Sequence, residues 1–256
     1  MYYNSTNQEL EKVDRKAQKV RDLMTQASPA QVTNLWRQLD ISAIYHDWGL
    51  EGQVVLPDEL KGAFNNRPVT DANSLPLYTA LRAHRKAIEL SREIAQKKQL
   101  AFTVDLFREF HALYATDPES AKNGRYRKEI PLHRSYFHEI AQPNKIASSM
   151  RKLISWLNDP EEALSLHPIN WVTKFHFRFM RIFPFVETSG KIARTIFNMV
   201  LIRQGYLPAI IHATERQRYY EAIRQSQEDL AVLTTESALA SLDAAEKFLL
   251  RAEMAS

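Results

Sequence analysis

Residues 181–194, RIFPFVETSGKIAR, join two apolar helix patterns through a short polar turn. After the turn come Gly190, Lys191 and Arg194, so two cations lie in the first turn of the second predicted helix. Free backbone N–H groups and the positive end of the helix dipole favour a phosphate at such a position. The two cations are three residues apart and share one helical face. The stretch has no histidine, no cysteine and no obvious nucleophile, so it predicts a phosphate cradle without an evident catalytic group.

The composition of the chain is that of a folded and mostly helical protein. Of 256 residues, 45% are hydrophobic and only 6 are glycine, which is few for tight hairpins or glycine-rich nucleotide loops. The chain has no cysteine, which excludes disulfides and thiolate metal sites. The net charge of +4 comes from scattered residues, so we expect no nucleic-acid partner. A polar amino terminus and the lack of an apolar run of about 18 residues predict a cytoplasmic protein without a membrane partner.

Hydrophobic periodicity predicts an all-α bundle with one small β-hairpin flap. The most apolar stretch, residues 169–185, is expected at the centre of the bundle. Ser28 and Thr103 have the sequence context of N-caps, and Gly205 that of a residue that ends a helix. The predicted helices cover residues 7–27, 29–45, 58–64, 75–99, 104–114, 143–157, 169–185, 192–202, 215–227 and 235–254.

Two segments interrupt this helical pattern. Residues 46–52, HDWGLEG, are predicted to break the second helix. Residues 115–142 contain Asp-Pro and Asn-Gly pairs and a further proline, which are typical of turns. We therefore predict an irregular flap there, with a short hairpin over residues 130–140.

Residues 183–194 resemble the signature of the Fic (filamentation-induced-by-cAMP, Fic/Doc) family, H-x-F-x-[DE]-G-N-G-[RK]-x-x-R. Residues 124–127, GRYR, lie where that family has G-x-[FY]-R, just before its flap. The resemblance covers roughly residues 100–228 and implies a Fic-type helical fold. Further segments in the order of the family are residues 143–157, 175–182, 198–202, 204–211 and 218–222.

The resemblance also implies an organisation for the chain as one compact unit. Residues 1–99 would form an N-terminal helical region with an inhibitory-like segment at 47–52. Residues 100–228 would form the Fic core with its flap at 124–142, and residues 229–256 a C-terminal helix.

Members of this family mostly transfer AMP from ATP to a hydroxyl of another protein. The resemblance implies that Arg194 holds the terminal phosphate, Lys191 the middle one, and Glu187 the Mg²⁺ ion, a hard cation that prefers oxygen ligands. ATP and Mg²⁺ are therefore the candidate ligand and cofactor. The nucleotide-binding positions are Thr188, Ser189, Gly190, Lys191, Arg194 and, near the base and ribose, Asn198, Tyr219 and Tyr220.

The chain departs from the family signature at three positions. Phe183 replaces the histidine that acts as general base, and a phenyl ring has no lone pair to accept a proton. General-base catalysis contributes about 10²–10⁴-fold, so we predict a weak or inactive transferase that is a pseudoenzyme. Thr188 and Ser189 replace glycine and asparagine, and Thr188 adds a branched side chain where glycine would let the backbone approach a phosphate.

Two more distant segments resemble regulatory and docking parts of the family. Residues 47–52, DWGLEG, are similar to the inhibitory pattern [ST]-x-x-x-E-[GN], which implies that Glu51 pairs with Arg194 and blocks productive ATP placement. Asp47 replaces the usual hydroxyl residue in that pattern. Leu132 and His133 belong to the flap, where a target protein would dock as an added strand.

Two other interpretations remain open from the sequence. The chain could be an active transferase with a substitute base, for which His133 and His176 are candidates. It could instead be a protein-interaction module that binds no nucleotide. A homodimer is also left open.

Overall fold

The computed structural model describes residues 2–115, 119, 124–131 and 138–253. Within these residues the regular structure is helical, with no strand. The helices are α1 (Tyr2–Gln26), α2 (Pro29–Leu50), α3 (Pro57–Phe64), α4 (Leu75–Ala95), α5 (Val104–Tyr114), α6 (Pro143–Leu157), α7 (Pro160–Leu164), α8 (Pro168–Ile182), α9 (Ser189–Arg203), α10 (Arg216–Gln225) and α11 (Gln227–Glu253), with a 3₁₀ turn at Ala213–Glu215.

The local signals at the helix ends are confirmed. Ser28 Oγ accepts a hydrogen bond from the Gln31 N–H at 3.3 Å, and Thr103 Oγ1 accepts one from the Leu106 N–H at 3.1 Å. Gly205 follows α9 with φ of +83°, a conformation that glycine adopts without steric cost. The last helix begins at Gln227, eight residues before its predicted start.

The predicted break at residues 46–52 is wrong, because α2 continues to Leu50. Its last turn is closed by a hydrogen bond of 3.2 Å from the Glu51 N–H to the Asp47 carbonyl. Gly49 is needed here for close packing, since a Cβ at this position would lie 2.5 Å from the Ala213 Cβ. The glycine therefore permits a close contact between α2 and the 3₁₀ turn. Any side chain at position 49 would force the two segments apart.

Helix α9 lies at the centre of the bundle and packs against α8, α4 and α5. Its apolar side chains are buried on most of its circumference, as the sequence pattern predicted for a central helix. The core cluster around it also takes side chains from α1 and α11, so it includes all three predicted regions of the chain. The boundaries between those regions stay predictions.

A smaller apolar cluster lies beside this core and fixes the end of α2. It contains Ile44 and Trp48 from α2, Leu60 and Phe64 from α3, and Leu81 from α4. Burying side chains of this size contributes roughly 1.5–3 kcal/mol each. The last turn of α2 is therefore held against α3 and α4, and its acidic residues are presented to the central helix.

The predicted hairpin is not supported by the residues that can be tested. Residues 124–131 and 138–142 form no strand. Residues 132–137, which include the docking candidates Leu132 and His133, lie outside the described residues. Within the described chain, we also find no helix with both the length and the apolar character needed to cross a bilayer.

Candidate functional site

The turn before α9 is held by buried hydrogen bonds. Ser189 Oγ donates to the Phe185 carbonyl at 2.6 Å and accepts from the Phe185 N–H at 2.9 Å. Thr188 Oγ1 lies 2.8 Å from His111 Nδ1, whose ring stacks on Phe185 with a centroid separation of 4.2 Å. Both departures from the signature, Thr188 and Ser189, therefore have structural partners, and both are buried.

Phe183 ends α8 and is fully buried. Its backbone lies in the left-handed region, with φ of +48°, and its N–H donates to the Phe179 carbonyl at 2.8 Å. The buried Arg127 donates through Nε to the Phe183 carbonyl at 2.7 Å and through Nη2 to the Ala141 carbonyl. This arginine, from the GRYR motif, fixes the backbone at the position of the missing base.

The Arg194 side chain has three hydrogen-bond partners in the described part of the site and is buried. Its Nε donates to Asp47 Oδ1, its Nη2 to Glu51 Oε1 at 2.6 Å, and its Nη1 to the Tyr219 hydroxyl at 3.1 Å. Burial opposes the charged form, but the neighbouring Asp47, Tyr219 and Glu51 raise the pKa of Arg194 above its ordinary value. The arginine is therefore charged and has a partner at each guanidinium nitrogen.

The Glu51 carboxylate lies at the amino-terminal end of α9. A Cβ at Gly190 would overlap Glu51 Oε1, so the carboxylate lies directly against the glycine that opens the helix. Both groups of the predicted inhibitory pair, Glu51 and Arg194, are brought together as the sequence predicted. An internal anion thus lies where the backbone and the helix dipole favour a phosphate.

Lys191 lies beside the same pair but in a more apolar setting. Its Nζ is 4.5 Å from the centroid of the Trp48 ring, a cation–π contact. Burial lowers the pKa of Lys191, while the carboxylates of Asp47 and Glu51 act in the opposite direction. The two predicted phosphate ligands, Lys191 and Arg194, therefore share a face and both approach the end of α2.

Asp47 and its neighbours were not identified as site residues from the sequence. His84 Nε2 lies 3.2 Å from Asp47 Oδ2, and His84 Nδ1 accepts a hydrogen bond of 3.1 Å from Trp48 Nε1. Burial lowers the pKa of His84, aided by the positive charges of Lys191 and Arg194, so the imidazole is neutral. The four-residue spacing of Asp47 and Glu51 was the available signal, since it places both carboxylates on one helical face.

The two tyrosines expected near the base and ribose are buried in the present arrangement. Tyr219 has no exposed surface, and its hydroxyl lies 2.8 Å from His176 Nε2 as well as near Arg194. The ring of Tyr220 contacts the rings of Tyr219 and His138, and the Arg216 guanidinium lies over it. Neither ring presents an open face for stacking, and their nucleotide role stays a prediction.

Asn198 and Glu187, the two other predicted ligand-binding residues, have different surroundings. Asn198 Oδ1 accepts the Ala209 N–H at 2.9 Å, which fixes the segment after α9. Glu187 is exposed on the turn. No group of three or more histidine, cysteine or acidic side chains that could hold a metal ion is found among the described residues, and the role of Glu187 as a metal ligand stays a prediction.

The candidates for a substitute base are not confirmed. His176 is 1% exposed and lies against Tyr219, and burial lowers its pKa to about 3. A proton on such a group is strongly disfavoured near neutral pH. His133 lies outside the described residues.

Comparison with known proteins gives a consistent family. The family model for Fic/DOC matches residues 101–201. A protein adenylyltransferase Fic from Drosophila virilis is 27% identical over 186 residues, which are 72% of this chain and 37% of that protein. A protein of the same name from Drosophila ananassae is 25% identical over 186 residues. The chain thus spans little more than a third of the length of these relatives.

Solved structures agree at the level of the fold. A segment of Fic-1 from C. elegans has a TM-score of 0.83 at 19% identity, covering 99% of this chain and 74% of that one. A Fic domain containing signaling protein from Bacteroides thetaiotaomicron has a TM-score of 0.76 at 20% identity, covering 93% of this chain and 97% of that one. Residues 101–201 of this chain are therefore a Fic/DOC domain, and the chain shares the helical fold of solved Fic structures.

Proposed function

We propose that this chain is a Fic-type protein that binds the phosphates of ATP at the start of α9 and whose transfer of AMP to protein hydroxyls is impaired. The observation that carries the proposal is the position of the Glu51 carboxylate against Gly190 and Arg194. A carboxylate at this place supports the binding of an anion at the start of α9. The name of the relatives, protein adenylyltransferase, supports a phosphate group of ATP as the anionic ligand of this position.

The residues at the turn suit a phosphate chain with a magnesium ion. Arg194 offers a planar guanidinium that can form two parallel hydrogen bonds, and Lys191 offers a point charge. Mg²⁺ is usually held by one or two carboxylates together with substrate phosphates and water. The exposed Glu187 fits that pattern, and Mg²⁺ bound there would neutralise phosphate charge.

Impaired transfer follows from the chemistry of Phe183. In an adenylyl transfer, the target hydroxyl oxygen attacks the α-phosphorus, pyrophosphate leaves, and the hydroxyl proton must be removed. Phe183 cannot accept that proton, and Arg127 fixes the backbone that carries it. Loss of a general base lowers the rate by about 10²–10⁴-fold.

The proposed autoinhibition follows from competition for one cation. Glu51 and a phosphate would both use Arg194 and the start of α9, so ATP must displace the carboxylate. We expect weak ATP binding by the unaltered chain and no substantial AMP transfer.

Calorimetry with Mg²⁺ and ATP tests the proposal, with transfer of labelled AMP as the second readout. We expect the unaltered chain to bind ATP weakly. The affinity should fall about tenfold in Lys191→Met, because one charge-assisted contact is worth roughly 1.5–3 kcal/mol. Lys174→Met is the matched control, since Lys174 lies on a tryptophan ring and pairs with Glu162 away from the site.

Each alternative interpretation has its own result in these assays. Strong labelling of the protein itself or of a target by the unaltered chain would show that a substitute base operates. Absence of any binding heat, both in the unaltered chain and in variants without the Glu51 carboxylate, would refute nucleotide binding and favour an interaction module.

A further inference from the structure

The guanidinium of Arg194 is held by two carboxylates of one helix. Asp47 and Glu51 are separated by one turn of α2 and contact different nitrogens, Nε and Nη2. Their side chains are 8% and 7% exposed, and that of Arg194 is 9% exposed. The pattern resembled in the sequence has a hydroxyl residue at the position of Asp47, so the second charge is a property of this chain.

The carboxylate of Asp47 also lies beside His84, which is held by Trp48. The Trp48 indole N–H donates to His84 Nδ1 at 3.1 Å. A neutral imidazole that accepts at Nδ1 carries its proton on Nε2, and this nitrogen is 3.2 Å from Asp47 Oδ2. Asp47 Oδ2 has no well-directed hydrogen bond within the described part of the chain. Burial raises the pKa of Asp47, and Arg194 is the strongest influence in the opposite direction.

Asp47 and Glu51 each place a separate negative charge against Arg194, so the loss of one carboxylate leaves the other in contact. With both carboxylates present, Lys191 and Arg194 are balanced by two buried negative charges. Removal of Glu51 would leave one carboxylate on Nε of the same guanidinium. A buried charge whose partner is removed is strongly destabilised. We therefore expect Asp47 to keep its contact with Arg194 when Glu51 is removed.

We propose that Asp47 is a second positioning carboxylate that holds Arg194 independently of Glu51. A substitution at Glu51 alone therefore leaves the arginine engaged, and full release requires the loss of both acidic side chains. The consequence for ATP rests on the nucleotide function proposed above, whereas the contact itself does not.

The contact is tested by NMR on the Arg194 Nε–H, assigned by its loss in Arg194→Lys. We expect slow exchange of this hydrogen with solvent in the unaltered chain and in Glu51→Gly, and an increase of at least about tenfold in Asp47→Ser. Asp47→Ala also removes the acceptor of the Arg194 Nε–H and replaces the serine variant if that variant does not fold. Rapid exchange in Glu51→Gly would overturn the proposal.

Asp40→Asn is the matched control. Asp40 is a buried carboxylate of the same helix that binds Arg92 through both oxygens, with Oδ2 2.8 Å from Nη2. Its substitution disturbs an equivalent pair but should leave the exchange of the Arg194 Nε–H unchanged. A similar acceleration in Asp40→Asn and Asp47→Ser would mean that general loosening of α2 explains the effect, and the proposal would fail.

Titration with Mg²⁺ and ATP gives the functional consequence. We expect Glu51→Gly to bind about tenfold more tightly than the unaltered chain, and Asp47→Ser/Glu51→Gly to bind at least about tenfold more tightly than Glu51→Gly, since each charge-assisted contact removed from Arg194 lowers the cost of phosphate binding. Equal affinities of the single and double variants would contradict the second contact. If exchange behaves as expected and no variant binds ATP, Asp47 is supported and the nucleotide function is refuted.

Discussion

Substitution of Arg194 by methionine tests the energetics of the site. The change removes a buried cation and leaves the Asp47 and Glu51 carboxylates without it. Breaking a buried ion pair by deleting one partner costs about 3–5 kcal/mol, a large part of the roughly 5–15 kcal/mol that stabilises a folded domain. We therefore expect Arg194→Met to lower the free energy of unfolding at pH 7 by about 3–5 kcal/mol.

Arg218→Met is a matched control with the opposite burial. Arg218 Nη1 also contacts two carboxylates, Glu236 at 2.6 Å and Glu215 at 3.3 Å, but its side chain is 46% exposed. Exposed pairs are worth about 0–1 kcal/mol. Arg218→Met also removes one positive charge that contacts two carboxylates. It should lower the free energy of unfolding by at most about 1 kcal/mol.

The pH dependence has a definite sign. Burial raises the pKa of Asp47 above its ordinary 3.8, partly offset by Arg194. Without Arg194 the pKa rises further, so the folded variant binds a proton that the unfolded chain releases. Stability from this group is present below the unfolded pKa and is lost as the pH rises through the folded value.

The assay is urea unfolding followed by circular dichroism at pH 5 and pH 8. The deficit of Arg194→Met relative to the unaltered chain should be larger at pH 8. A deficit no larger than that of Arg218→Met, or one that does not change with pH, would refute the description of Asp47, Glu51 and Arg194 as a buried network.

Two further predictions concern Phe183 and Gly49. Phe183→His in the Asp47→Ser/Glu51→Gly background should raise self-labelling from labelled ATP by about 10²-fold or more, because it restores a general base; equal labelling with and without the histidine would count against impairment at this position. Gly49→Ala should lower the free energy of unfolding, since overpacking against Ala213 costs about 1–3 kcal/mol and exceeds the gain of about 0.5–1 kcal/mol in helix propensity; urea unfolding that shows a stabilised variant would contradict the close contact.

The placement of Lys191 and Arg194 at the start of α9 was predictable because the features that determine it are local. Lys191 and Arg194 are three residues apart, and a helix that starts after a polar turn orients both. Caps such as Ser28 and Thr103 act on N–H groups three residues away. Short-range geometry of this kind is written directly in the order of residues.

The break predicted at residues 46–52 failed because the same glycine has two physical uses. Gly49 weakens a helix by its conformational freedom, yet it also permits close approach of another segment. The approaching residue, Ala213, is far away in the chain. Its presence could not be read from the neighbours of Gly49.

By itself, the sequence determined the helical class, the cations at the start of α9 and the absence of a lone pair at Phe183. Only the tertiary structure decided that Asp47 joins Glu51 on Arg194, across sequence separations of 147 and 143 residues. The physical reason is that helix periodicity and side-chain chemistry act over a few residues. Which charges meet in a buried site depends on how distant helices pack.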